Sequence, residues 1–317
     1  MQPLVSILIP CHNAECWIAQ AIESALAQTW PDKEVIVVDD GSTDRSLEII
    51  KRFDGRIRWE TGPNRGSDAA RNRLLAVARG DWLQYLDADD YLLLEKVARQ
   101  IEFAQKHPDV DVVFGPVARK RIENGSVVCS ETPIPEPRDP WTLLALWYLP
   151  QTGGSLWRKE AVESVGVWSR ELPCCQEHDL YHRLLAAGAH FEYCPGCFAV
   201  YRDFEHAGRI TTKRTWGEYV RLRLIILDHV EKHLEQRLVM TQLRRQAIND
   251  ARHQLARELW PSDRQQAIDT HERIRSSDRY YLPTLGPWSP RNYCIAYRVL
   301  GFRGAQLTAS YKRALRW

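Results

Sequence analysis

The 317-residue sequence lacks the motifs that most directly assign a function. It contains no Walker-type phosphate loop, and no G-x-G-x-x-G follows its first apolar run. It shows no internal repeat and no low-complexity tract. No run of about 18 apolar residues occurs, so we expect no membrane-spanning helix. Without a phosphate loop, carboxylates could bind a phosphorylated ligand only through a metal ion.

The chain also lacks a strong charge of either sign and a secretion signal. Its formal net charge is +2, which gives no reason to expect a nucleic-acid partner. The N-terminal letters MQPLVSILIP have no basic segment before a long apolar stretch, so we expect no signal peptide and a cytoplasmic location. The eight cysteines are then expected to stay reduced. Cys174, Cys175, Cys194 and Cys197 could be combined into a zinc site, but adjacent cysteines do not form a C-x2-C knuckle, and we favour strand or turn positions.

Short apolar runs alternate with segments of helical periodicity in the first third of the chain. The runs at 5–9, 34–38, 57–59 and 82–86 are typical of buried strands. This alternation predicts a doubly wound α/β sheet. Polar letters follow each run in turn: PCHN, DDGS, NRG and DADD. Because the carboxyl ends of parallel strands share one edge of a sheet, we expect these four clusters to form one site.

The letters YLDADDY, residues 85–91, crowd three carboxylates into four positions. Like charges this close repel one another, so the arrangement costs stability unless something offsets it. One interpretation is a solvated acidic turn, with Asp90 capping the next helix. The other is a site for a hard divalent cation, since magnesium is held by one or two carboxylates together with substrate phosphates. The pattern alone leaves both open.

The longer stretch VSILIPCHNAECWIAQAIESALAQTWPDKEVIVVDDGSTDRSLEII, then NRGSDAARN, then GDWLQYLDADD, resembles the successive motifs of family 2 glycosyltransferases. The similarity extends over residues 3–205. It implies a GT-A fold, which is a mostly parallel α/β sheet flanked by helices. It further implies a nucleotide-sugar donor, a divalent metal (manganese or magnesium) and inversion at the anomeric carbon. We expect a catalytic domain over residues 1–212 and a helical region over 213–317.

The resemblance also implies roles for individual residues. The donor-binding positions are Pro10, His12 and Asn13 beside the nucleoside, Asp39 and Asp40 at the base (usually uracil), Asn64, Gly66, Arg71 and Asn72 near base and diphosphate, and Asp87 toward ribose and diphosphate. The metal positions are Asp89 and, less directly matched, His206. The structural alternatives are a turn cap for Asp39 or Asp40, a solvated helix charge for Arg71 and a surface-loop position for His206.

Glu177 occupies the position that the resemblance implies for the catalytic base. The segment CCQEHDLYHR has Gln176-Glu177 where the family often has Glu-Asp. An inverting transfer needs a group that accepts a proton from the acceptor hydroxyl, and a carboxylate can do so at neutral pH. The alternatives are His178 or Asp179 as the base, or a Glu177 that only stabilises the first turn of a helix.

We therefore expect a metal-dependent inverting glycosyltransferase acting on a glycan or lipid-linked acceptor. The alternatives are a nucleotidyltransferase that makes nucleotide sugars, for which a glycine-rich phosphate loop is missing, and a non-catalytic nucleotide-sugar binder. Residues 291–317 carry six Arg or Lys and no Asp or Glu, interleaved with aromatic and aliphatic residues. We expect Gly301 and Gly304 to break this segment into two short helices. These helices either contact the anionic inner face of a membrane or pack on the catalytic domain.

Overall fold

The structure is a computed structural model, and it describes residues 2–123, 126–136, 138–169, 172, 174–203 and 216–314. Its contacts divide the chain into two compact units. The sheet unit comprises Met1–Pro140 and Tyr148–Arg214, and the helical unit comprises Trp141–Trp147 and Thr215–Trp317.

Eleven strands are formed within the described residues: β1 Val5–Cys11, β2 Lys33–Asp39, β3 Arg58–Thr61, β4 Trp82–Tyr85, β5 Tyr91–Leu92, β6 Val112–Phe114, β7 Val117–Glu123, β8 Ser126–Thr132, β9 Ser155–Arg158, β10 Phe191–Tyr193 and β11 Ala199–Asp203. The larger sheet has the order β10-β6-β9-β4-β1-β2-β3. The smaller sheet has the order β5-β11-β7-β8.

Eleven α-helices accompany them in the same residues: α1 Ile18–Leu26, α2 Ser46–Lys51, α3 Ser67–Val77, α4 Lys96–Lys106, α5 Pro140–Ala145, α6 Lys159–Ser164, α7 Gln176–Ala186, α8 Trp216–Gln236, α9 Gln242–Leu259, α10 Arg264–Ser277 and α11 Arg291–Ala314. Among the described segments, no helix is both long enough and apolar enough to cross a bilayer.

The larger sheet confirms the four strands expected from the apolar runs. β1 pairs in parallel with β2 and with β4, and β2 pairs in parallel with β3. The side chains of Val5, Ile7 and Ile9 are fully buried, as suits a strand that is covered on both faces. The sheet is mixed rather than wholly parallel, because β9 runs antiparallel to both β4 and β6.

Strand register brings the four predicted polar clusters to one edge. Cys11 at the end of β1 lies opposite Asp39 at the end of β2, and Asp39 lies opposite Thr61 at the end of β3. In β4, Tyr85 lies opposite Leu8, so the DADD turn leaves the sheet beside the end of β1. The expectation that these clusters share an edge is therefore confirmed.

The helical unit contains α8 to α11 and has its own core. Arg252 of α9 is fully buried and donates to Asp228 and Glu231 of α8, each at 2.7–2.8 Å. His253, also buried, has aromatic neighbours that include Tyr297 and Phe302 of α11. Burial lowers the pKa of His253 well below its usual value, which keeps the imidazole neutral.

The C-terminal segment departs from the prediction in two ways. α11 has one non-helical residue inside it, Gly301 with φ 66° and ψ −174°, whereas Gly304 lies within the second helical half. The sequence left two surroundings open for Tyr293, Tyr297 and Phe302, a membrane surface or the catalytic domain. These three side chains are 4–5% exposed and pack within the helical unit. Their burial follows the usual helical rule that one apolar stripe packs inward.

Candidate active site

The acidic pair after β2 holds the neighbouring loops in place. Asp39 is 1% exposed, and its Oδ2 accepts a hydrogen bond from the Thr61 hydroxyl at 2.6 Å. The carboxylate of Asp40 accepts the backbone N–H groups of Arg65 and Gly66 at 2.8 and 2.9 Å. Asp39 Oδ1 also accepts the backbone N–H of Ser42 at 3.3 Å, so both carboxylates make the turn-capping contacts that the sequence analysis gave as an alternative. They also fix the rim at which the resemblance places the nucleoside.

Two glycines permit the close approach of these loops. Gly41 has φ +68°, and a Cβ there would lie 2.6 Å from the backbone nitrogen of Asn64. Gly66, with φ +92°, precedes the first residue of α3 in a conformation that L side chains rarely adopt. A side chain at Gly41 would force the loop after β2 away from the loop after β3.

Hydrogen bonds connect the loop after β1 to the loop after β2. The His12 ring nitrogen Nδ1 donates to the Asp40 carbonyl at 2.9 Å, and Asn64 Nδ2 lies 3.2 Å from both ring nitrogens. Asn13 has φ 50°, and its Oδ1 accepts the backbone N–H of Thr43 at 2.7 Å. Pro10 lies near the end of β1, opposite Val38. These contacts bring the residues expected beside the nucleoside to one rim.

The first carboxylate of the DADD turn forms an ion pair with Arg71. Arg71 Nη2 lies 2.7 Å from Asp87 Oδ1, and the two side chains are 8% and 33% exposed. Burial opposes the charged form of Arg71, but the nearby Asp87 and Glu177 carboxylates outweigh it and raise the arginine pKa. Arg71 is therefore a buried counter-ion and not a solvated helix charge.

The other end of the turn is held by Arg202 of β11. Asp90 Oδ1 accepts the backbone N–H of Arg202 at 2.8 Å, and the Arg202 guanidinium donates to the Asp89 carbonyl. The same guanidinium lies over the rings of Trp17 and Tyr91, at 4.8 and 4.7 Å from their centroids. Our expectation that Asp90 caps the next helix is wrong, because α4 begins at Lys96 and the Asp90 carboxylate is engaged with β11.

These two arginines explain how the chain tolerates three adjacent carboxylates. Arg71 offsets the charge of Asp87, and Arg202 lies close enough to Asp89 and Asp90 for both to act on its pKa. Sequence reasoning assigned this neutralisation to a metal alone. It overlooked Arg202, although the letters YRD before the expected His206 were a usable signal.

Arg71 also connects the DADD turn to the N-terminus of α7. Its Nη1 donates to Gln176 Oε1 at 2.8 Å, and its guanidinium lies 4.9 Å from the Trp168 ring centroid. Asn72 holds Trp168 in this position, since its side-chain amide exchanges two hydrogen bonds with the Trp168 backbone at 2.8 and 3.0 Å. Asn72 thus faces Trp168, a residue that the sequence analysis did not single out.

Glu177 lies in the first turn of α7, directly after Gln176. Its side chain is 23% exposed, and the local loss of hydration raises the pKa of its carboxyl above the usual 4.5. Arg71 lowers this pKa and Asp87 raises it, so both groups are close enough to act on the carboxyl. A carboxyl whose pKa is shifted toward neutrality and that adjoins other charged groups is a functional-site signal.

The alternatives to Glu177 differ in their surroundings. Asp179 forms an ion pair within α7 with Arg183 at 2.9 Å. His178 is 3% exposed. Trp157 of β9 is fully buried and stacks on Tyr181 of α7, with 4.7 Å between the ring centroids. His206 lies outside the described residues.

The donor set at the DADD turn suits a hard cation. Within the described residues, no group of three or more His, Cys, Asp or Glu side chains is arranged to hold a metal ion. The Asp87 and Asp89 carboxylates nevertheless lie on one turn, and one or two carboxylates with substrate phosphates are a common magnesium site. These residues fit a cation that completes its shell with diphosphate oxygens.

Comparison with known proteins identifies the family. The profile described as glycosyl transferase family 2 matches residues 6–163. The chain belongs to glycosyltransferase family 2. One curated relative is the E. coli enzyme named UDP-Glc:alpha-D-GlcNAc-diphosphoundecaprenol beta-1,3-glucosyltransferase WfaP, 39% identical over 127 residues, which are 39% of this chain and 49% of that protein. Another is the Pasteurella multocida chondroitin synthase, 44% identical over 93 residues, which are 28% of this chain and 10% of that protein. The chain thus matches half or less of the length of these relatives.

Solved structures establish that this member of the family has a GT-A fold. Residues 1–349 of S. aureus TarS, in complex with UDP-GlcNAc, superpose with a TM-score of 0.57 at 18% identity, covering 87% of this chain and 91% of that TarS fragment. The Pyrobaculum calidifontis mannosyltransferase PcManGT in complex with GDP-Man and Mn²⁺ gives a TM-score of 0.53 at 17% identity, covering 99% of this chain and 88% of that one. The GT-A fold and the helical C-terminal region expected from the sequence are confirmed.

Proposed function

We propose that this protein transfers a sugar from a nucleoside-diphosphate donor to an acceptor hydroxyl, with inversion at the anomeric carbon. The observation that carries the proposal is the position of Arg71. It pairs with Asp87 at 2.7 Å and acts electrostatically on Glu177, so the donor-side carboxylate and the proposed base adjoin one buried cation. A donor-side carboxylate and a proposed base that share one buried counter-ion suit a displacement reaction.

Glu177 is the proposed base. Its carboxylate would take the proton from the acceptor hydroxyl as that oxygen bonds to the anomeric carbon. The bond from this carbon to the diphosphate oxygen breaks at the same time, and the diphosphate leaves from the opposite face, which inverts the configuration. The raised pKa of Glu177 suits this role, because a base is most effective when its pKa approaches the working pH.

The donor would lie along the rim formed by the loops after β1, β2 and β3. We propose that the Asp39 and Asp40 carboxylates accept hydrogen bonds from the nucleobase of the donor with the lone pairs that their turn contacts leave available. His12 and Asn64 would flank the nucleoside. Asp87 and Asp89 would hold a manganese or magnesium ion. A cation there would neutralise the charge on the departing diphosphate.

The donor is proposed to be a UDP-sugar, and the acceptor a glycan or a lipid-linked sugar. Support comes from the names of similar proteins: WfaP is named for UDP-Glc and for a diphosphoundecaprenol acceptor, and TarS is described with UDP-GlcNAc. Because PcManGT is described with GDP-Man, guanosine donors belong in the test as well. The cytoplasmic location expected from the sequence stays a prediction.

A donor panel tests the proposal. Thermal unfolding would be measured with UDP-, GDP- and dTDP-sugars, each with manganese and with excess chelator. We expect stabilisation by one nucleotide class, lost with chelator, and slow release of the free nucleoside diphosphate over hours. Stabilisation without any hydrolysis or transfer would favour the non-catalytic binder. If no nucleotide sugar stabilises the protein, the proposal fails.

A further inference from the structure

The C-terminal part of the helical unit concentrates exposed apolar side chains. Of the 20 large hydrophobic side chains exposed in the described residues, nine lie between residues 280 and 311. Six of them are 54–75% exposed: Leu285, Trp288, Ile295, Val299, Leu307 and Tyr311. Scattered single exposed hydrophobics are ordinary, whereas nine within 32 consecutive residues favour an interaction surface.

The same stretch carries charge of one sign only. Residues 279–317 contain seven Arg or Lys and no Asp or Glu, although the whole chain is nearly balanced with 43 basic and 41 acidic residues. Arg291, Arg298 and Arg303 are exposed on α11. Arg303 lies 3.8 Å from Glu272, and both side chains are two-thirds exposed. Such an exposed ion pair is weak, so Arg303 can still interact with the charges of a partner.

Helical geometry places the apolar and basic side chains together. In the first half of α11, Tyr293 and Tyr297 face inward and are 5% exposed. Positions 291, 295, 298 and 299 fall on the opposite side of a helix with 3.6 residues per turn. In the second half, Arg303, Leu307 and Tyr311 follow one another at four-residue spacing and are exposed, while Phe302 is buried.

We propose that this surface of the helical unit, residues 279–311, docks on an anionic lipid bilayer. Aliphatic and aromatic side chains beside arginines, with no acidic residue among them, match a bilayer that offers an apolar interior below negative headgroups. The aliphatic character of Ile295, Val299 and Leu307 favours lipid over nucleic acid, whose bases stack on aromatic rings. The proposal goes beyond sugar transfer and can succeed or fail independently of it.

Vesicle co-sedimentation of the full chain, without donor or acceptor, tests the proposal. We expect binding to vesicles of mixed phosphatidylglycerol and phosphatidylcholine, weakened by salt and much reduced on phosphatidylcholine alone. Reversing two charges in Arg291→Glu/Arg298→Glu should weaken the partition coefficient at least about tenfold, because each basic residue near such a surface contributes roughly fivefold. Val299→Ser/Leu307→Ser should weaken it by a similar factor.

Two variants in the same unit serve as matched controls. Arg237→Glu and Leu238→Asn alter exposed residues outside the proposed surface. Leu238 is 93% exposed and has φ 56°, a conformation that asparagine accepts. Both controls should bind vesicles as the native protein does. The proposal would be overturned if the controls lost as much vesicle binding as the surface variants. It would also be overturned if binding depended on charge but not on the apolar residues, or if the protein formed a stable dimer that bound no vesicles.

Discussion

The Arg71–Asp87 ion pair should contribute measurably to stability as well as to the site. Arg71 is 8% exposed, and Arg71→Met leaves Asp87 without its counter-ion, a change that costs about 3 kcal/mol in a buried pair. Since Asp87 is 33% exposed and partly hydrated, we take the lower end of the range for such pairs. Loss of the contact with the Trp168 ring, at 4.9 Å, adds about 1 kcal/mol. We therefore expect the free energy of unfolding to fall by about 4 kcal/mol.

Urea unfolding followed by tryptophan fluorescence measures this loss. Asp87→Asn alone and the double variant complete a cycle, for which we expect a coupling energy of about 2 kcal/mol. Arg73→Met is the matched control on the same helix, because the Arg73–Glu60 pair is about half exposed and should contribute less than about 1 kcal/mol. A coupling energy below about 0.5 kcal/mol would refute the reasoning.

Three further predictions follow from single contacts. Because the pKa of Glu177 is raised in the folded protein, the native state binds this proton more tightly than the unfolded chain does, so the contribution of Glu177 to stability falls as pH rises above 4.5. Glu177→Gln should remove that contribution, so its urea midpoints from pH 4 to pH 8 should fall less with pH than those of the native protein. Identical pH profiles would contradict the assignment. Asp89→Asn should abolish transfer and metal-dependent stabilisation by donor. It should lower the free energy of unfolding by no more than about 1 kcal/mol, since Arg202 donates to the Asp89 backbone carbonyl, which the substitution keeps. Retained metal-dependent binding would exclude Asp89 as a ligand. Gly41→Ala should weaken donor binding, because its Cβ would lie 2.6 Å from the Asn64 backbone nitrogen. Gly55→Ala is the control and should change stability alone, since Gly55 has a similar positive φ but open space around it. Equal donor affinity in the two variants would show that the close contact between the loops after β2 and β3 is unimportant for binding.

The fold and the edge that carries the site could be predicted because both depend on local patterns. Buried strands such as Val5–Cys11 are apolar throughout, and the polar letters after them necessarily leave the sheet at its carboxyl edge. The order of motifs also drew attention to Glu177, which lies in the first turn of α7 close enough to Arg71 and Asp87 for both to act on its pKa. Its role as the base stays a prediction, since Gln176 departs from the letter that the family often has.

The partners of these residues could not be predicted, because they depend on contacts distant in sequence. Arg71 meets Gln176 across 105 positions, and Asp90 meets Arg202 across 112. No local pattern records such pairs. The inward packing of Tyr293 and Tyr297 has the same cause, since it requires the buried His253 of another helix.

The central claim is that the chain catalyses sugar transfer with Glu177 as its base. The most direct test is the rate of nucleoside diphosphate release from the preferred donor, measured for native protein and for Glu177→Gln at saturating donor and metal. Asp179→Asn, in the same turn of α7, is the control. We expect Glu177→Gln to bind donor normally and to turn over about 10²-fold more slowly or worse, with the control near native. Near-native turnover by Glu177→Gln would contradict the account.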